Sequence, residues 1–103
     1  MIHVDLLSKV RASLFDVIDP ELGVNIMDLG LIYGVFVDAE NNVTVRMTLT
    51  TPGCPMSDSI KNGVKYRIRQ MSEVGDITVE LVFDPPWTPA KMTDRCKQFL
   101  WRK

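Results

Sequence analysis

The chain has 103 residues, enough for one domain around one modest core. Its 46% hydrophobic and 24% charged content is that of an ordinary globular protein, and a net charge of −1 with scattered Lys and Arg offers no basic stripe to a nucleic-acid backbone. No apolar run reaches membrane-spanning length, and Met1-Ile2-His3-Val4-Asp5 has no basic region ahead of an apolar one, so neither a membrane partner nor a secretory leader is expected.

Val4 to Ile18 carries Leu7, Val10, Leu14 and Ile18 at helical spacing, with Asp5, Lys9, Arg11 and Asp16 facing out. Asp19-Pro20 stops this helix, because the residue before a proline is pushed out of the helical region. An irregular connection follows, with three carboxylates: Asp19, Glu21 and Asp28. Leu31 to Val37 and Val43 to Leu49 alternate as strands, the second with Val43, Val45, Met47 and Leu49 on one face and Thr44, Arg46, Thr48 and Thr50 on the other. The link Asp38-Ala39-Glu40-Asn41-Asn42 is turn-forming, which predicts an antiparallel hairpin. Ile60, Val64, Ile68 and Met71 mark a second helix from about Pro55 to Ser72, with Lys65, Arg67 and Arg69 on its solvated side. Gly75-Asp76 breaks the chain before a third strand, Ile77 to Phe83. The three prolines of Asp84-Pro85-Pro86-Trp87-Thr88-Pro89 exclude regular structure, and Met92, Cys96, Phe99 and Leu100 suggest a short final helix. The order helix, strand, strand, helix, strand, helix predicts one two-layer α/β (α+β) domain over residues 1–103, a small sheet with helices packed on it.

The residue with the most chemical promise is Cys54, in Thr50-Thr51-Pro52-Gly53-Cys54-Pro55. Pro55 suits the first position of a helix, which makes Cys54 its N-cap, with Ser57 the competing cap. In either register the thiol lies near the positive end of the helix, which favours thiolate and should lower its pKa. Gly53 permits close backbone approach, and Thr48, Thr50 and Thr51 add hydroxyls nearby. The alternative is a small buried cysteine filling a gap. Cys96, on the apolar stripe of the last helix, reads as a core thiol. Without a signal for an oxidising compartment, both cysteines are expected free in a cytoplasmic protein.

Asp19, Glu21 and Asp28 either present metal ligands or a proton acceptor beside a thiol, or serve turn chemistry, with Asp19 and Asn25 bonding local N–H groups. Trp87, after two prolines, is either a rigid anchor for a partner or a lid on the core edge, while Trp101 caps the core or lies half exposed. His3 is the only histidine and sits at the terminus, which removes Cys–His and Ser–His pairs. Two cysteines and one distant histidine build neither a closed zinc site nor a four-thiolate iron–sulfur site, and no phosphate-binding glycine loop is present.

Four stretches, Asp19-Pro20-Glu21, Asn25 through Tyr33, Thr48 through Pro55 and Asp84 through Pro89, resemble the PaaD/SufT-like family, also called the MIP18 family of metal–sulfur cluster biosynthetic proteins. The resemblance runs from Val4 to about Leu100. It implies the small two-layer fold of the iron–sulfur cluster assembly domain and an auxiliary, non-enzymatic role in assembling clusters or delivering them. The implied partners are the assembly machinery and client apo-proteins, and a homodimer is left open. It further implies that Cys54 is the functional thiol and candidate metal ligand, and that Asp19 and Glu21 lie near its loop. Thr50, Thr51 and Gly53 are then expected to shape the pocket, with Trp87 on its rim or on a partner surface. Iron or a cluster would be transient or shared, since one chain has too few ligands. The compact chain, without C-terminal zinc-binding cysteines, points to a SufT-type member. Two other readings stand beside this one: a thiol enzyme (sulfur or acyl carrier, or redox switch), and an interaction module in which Cys54 only packs.

Overall fold

The structure is a computed structural model that describes residues 5–51 and 57–101. His3, Pro52, Gly53, Cys54, Pro55 and the side chain of Trp101 lie outside the described residues.

Helix α1 spans Leu6–Ser13, and Asp5 caps it by accepting a hydrogen bond from Ser8 N at 2.8 Å. The sequence periodicity carried this helix to Ile18, but a 3-10 turn, Leu14–Asp16, replaces its last part and Val17 is already extended. The reason lies ahead in the chain. Ile26 N donates to Val17 O at 3.0 Å, Ile18 bridges Asn25, and Asp19 N donates to Val24 O at 2.9 Å. The β-branched pair Val17-Ile18 gains these non-local bonds by leaving the helix.

Strands β1 (Ile32–Val37) and β2 (Val43–Met47) form the expected antiparallel hairpin, with Val35 opposite Val45. Asp38 Oδ1 accepts from the N–H groups of Glu40 and Asn42 at 2.9 and 2.8 Å, and Asn41 takes the left-handed conformation that such a turn needs. Helix α2 (Ser57–Arg69) crosses over and returns the chain to β3 (Ile77–Leu81), which runs parallel to β2. The sheet order is β1-β2-β3. Both later strands end two residues before the alternation does, yet Thr48 N still bonds Leu31 O and Val82 N still bonds Met47 O, each at 2.8 Å.

Val35, Val43, Val45, Met47, Ile77 and Val79 face the helices and are buried, against Val10, Leu14, Ile60, Val64 and Ile68. Phe36, Arg46, Thr78 and Glu80 occupy the open face. Arg67 is not merely solvated: its Nε and Nη2 grip Asp16 at 3.0 and 2.9 Å, tying α2 to the turn after α1. A strap then runs back from β3 through a cis Asp84–Pro85 bond and a 3-10 turn (Pro89–Lys91) into α3, Asp94–Trp101. Cys96 is buried on α3 as its stripe position suggests, whereas Phe99 on the same helix is exposed.

Candidate functional site

Asp19 sits at the head of a tight turn and is only 1% exposed. Its Oδ1 accepts from Glu21 N at 2.7 Å and Leu22 N at 3.1 Å, and Gly23 closes the turn on Asp19 O with a positive φ of 70°. This is the local backbone chemistry available to an aspartate before a proline. Glu21 is exposed at the tip of the same turn.

Asn25 and Asp28 bond reciprocally: Asn25 Oδ1 accepts from Asp28 N at 2.8 Å and Asn25 Nδ2 donates to Asp28 Oδ2 at 2.7 Å. Asp28 is 5% exposed and carries further bonds that link regions distant in sequence. Arg95 donates to its Oδ2 through Nε at 2.8 Å and Nη2 at 2.7 Å, and Thr93 Oγ1 donates to Oδ1 at 3.1 Å. Burial pushes this carboxyl up, but the bonds from Arg95, Asn25 and Thr93, with the guanidinium charge, hold it below the ordinary value. Sequence reading missed Arg95 and Thr93. The available signal was a buried carboxylate in a loop, which needs a cation from elsewhere in the chain.

Cys96 stands beside this cluster. Burial first, and the Asp28 charge second, push its thiol up, so it is a poor thiolate. Trp87 is half buried against the core and its Nε1 donates to Leu29 O at 2.7 Å. The indole therefore fixes the strap to the loop before β1, leaving only part of its ring outward. Gly30, with φ 78°, lies so close to the strap that a Cβ there would collide with the Lys91 carbonyl.

On the other side of the loop, Pro20 faces the first turns of α2 across a groove. This groove of about 340 Å³ runs between Val17, Ile18 and Pro20 on one wall and Ser59, Ile60 and Gly63 on the other. The Asp19-Pro20-Glu21 turn thus borders the N-terminal part of the helix that follows the Cys54 segment in the chain. At the other end of that segment, Thr51 is exposed and Thr50 half buried. Thr48 is fully buried, and its Oγ1 has no hydrogen-bond partner among the described residues. Among the described residues, no group of three or more His, Cys, Asp or Glu side chains is placed to hold a metal ion.

A profile of the family described as iron-sulfur cluster assembly protein matches residues 7–81. The chain is 41% identical over 92 residues to the Fe-S protein maturation auxiliary factor YitW of Bacillus subtilis, an alignment covering 89% of this chain and 90% of that one. It is 48% identical over 81 residues to the Fe-S protein maturation auxiliary factor SufT of Staphylococcus aureus, covering 79% and 92%. Among solved structures, a domain of unknown function (DUF59) from Bacillus anthracis superposes with a TM-score of 0.91 at 41% identity, covering 95% of this chain and 93% of that one.

Proposed function

The chain belongs to the iron–sulfur cluster assembly protein family, and on that premise we propose that it is an auxiliary factor that helps assemble clusters or deliver them to client apo-proteins. The observation that carries this reading is the near full-length match to two maturation auxiliary factors. The role is one of binding and handover rather than catalytic turnover.

Cys54 is the functional thiol in this proposal. It lies three residues before Ser57, where α2 begins, and the positive end of a thirteen-residue helix favours a thiolate. A thiolate donates an electron pair to a cargo iron without changing oxidation state. Cys96, the other cysteine, is 2% exposed and its thiol is pushed up, so it is not the second ligand. The remaining ligands come from an assembly partner, a client or a second copy, and the cargo is held transiently. Thr50, Thr51 and Gly53 shape the pocket around the thiol, and the turn of Asp19 and Glu21 walls it beside α2. The outward part of Trp87 serves as rim or partner surface. No helix among the described residues is long and apolar enough to cross a membrane, and the reading places the protein in the cytoplasm.

The test is Cys54→Ser in cells deleted for the native gene, grown where a client iron–sulfur enzyme is required. Client activity and its iron content should fall to the level of the deletion, while the purified variant keeps the wild-type melting curve. Wild-type client activity in the variant would remove Cys54 from the mechanism.

A further inference from the structure

The sheet has two edges, and they differ. β3 carries Glu80, paired with Arg46 across the sheet at 3.3 Å. β1, Ile-Tyr-Gly-Val-Phe-Val, has neither charge nor proline, and of the usual devices that keep an edge from pairing it carries one, a register shift between Ile32 and Gly34 at its first end, where Tyr33 also bonds the strap at Pro85 O. Beyond its ladder with β2, it makes no backbone hydrogen bond to another described segment. Asp38 N donates to Asn42 O, and this sets the alternation along the hairpin. Gly34 and Phe36 turn their backbone groups toward β2, while Val35 and Val37 turn theirs away from the sheet.

We propose that β1 pairs antiparallel with β1 of a second copy of this chain, about a twofold axis at Val35, to give a homodimer with one continuous sheet. Three observations favour a second copy as the occupant. The first is register: with Val35 on the axis, its outward backbone groups meet those of Val35 in the other copy, and the register shift of β1 falls at Tyr33, outside that central pair. The second is shape. Phe36 is 51% exposed, with its ring over its own Gly34, where a Cβ would come within 2.9 Å of the ring carbons. The twofold sets the two Phe36 rings diagonally across the axis on the same face, each within reach of the other copy's strand, so that pairing covers exposed apolar surface.

The third is charge. At the start of β1, Lys91 Nζ stands over the Tyr33 ring at 5.2 Å and is in none of the ion pairs among the described residues. At its end, Asp38 and Glu40 are exposed and equally without a cation. Antiparallel pairing brings the cationic end of each copy to the acidic end of the other, twice. A net charge of −1 leaves little general repulsion to oppose it. This inference does not depend on the proposed cargo.

The test is sedimentation velocity of the full chain at low salt, from about 1 μM to about 1 mM, a span that captures the weak affinity of a short strand edge. Wild type should dimerise with concentration. Phe36→Asp should weaken the dimer about tenfold or more, by setting like charges beside the axis. Lys91→Glu and Glu40→Lys should each weaken it, and the double charge reversal should recover much of the loss. All three positions changed are exposed, and melting curves confirm folding. A monomer at every concentration would overturn the proposal, including one whose client maturation still fails with Phe36→Asp, which would assign the edge to an extended client segment. A dimer indifferent to Phe36→Asp and to the charge swap would overturn it as well, by locating the contact on another face.

Discussion

The loop before β1 and the end of β2 are both polar, both buried and both irregular, but they treat their polar groups in opposite ways. Around Asp28 every bond is closed: Asn25, Thr93 and Arg95 all donate to one carboxylate. At the end of β2, Thr48 buries a hydroxyl that meets no partner among the described residues. A satisfied cluster rigidifies, while an unmet buried polar atom costs stability and persists where something else uses it. The first region therefore reads as a clamp, and the second leads into the segment that holds Cys54, the working segment of the proposed function.

The clamp should break most severely at Gly30. Gly30→Ala forces a side chain into the left-handed region and onto the Lys91 carbonyl, which only movement of the strap relieves. A loss of about 3 kcal/mol is expected. Chemical denaturation would measure it, and a loss below about 1 kcal/mol would mean that the strap yields freely. Asp28→Ala comes next, at about 2 kcal/mol, because it strips partners from Asn25 and Thr93 but leaves Arg95 free to hydrate.

The same clamp has a pH signature. The folded-state pKa of Asp28 lies below its unfolded value, so its stabilisation is fully present above the unfolded pKa and disappears as pH falls through the folded one. Stability of wild type and Asp28→Asn should therefore differ at neutral pH and converge once the pH drops well below about 4. A difference that stays constant down to acid unfolding would show that the carboxylate charge does nothing for the clamp.

How far these two regions were legible differs for a physical reason. Alternation along β1 and β2 and the turn residues at Asp38 to Asn42 encode the hairpin locally, and the hairpin is there. The end of α1 was misjudged because Val17 and Ile18 fit helical spacing, while the bonds that pull them out come from Val24 to Ile26. The Asp28–Arg95 tie spans 67 residues, and no periodicity announces a contact of that separation. Turn chemistry at Asp19 and Asn25 was legible as one of two options, since aspartate and asparagine bond nearby N–H groups wherever they sit. The working segment was legible only in part. A cysteine beside a proline ahead of a helix suggests a reactive thiol, but Cys54 lies outside the described residues, and the ligands and partners proposed for it belong to other molecules.

Thr48→Val is the smallest change and the sharpest probe of the comparison. It swaps a buried hydroxyl that has no partner among the described residues for a methyl group of nearly the same volume. If Thr48 were merely structural, removing the unmet group would raise stability by about 0.5–1 kcal/mol and alter nothing else. If it belongs to the approach to Cys54, the same gain in stability should come with a loss of client maturation. A more stable protein that works less well separates the two roles, because damage to the fold cannot account for it. Unchanged maturation in a stabilised Thr48→Val protein would place Thr48 with the scaffold and confine the working segment to the residues beyond it.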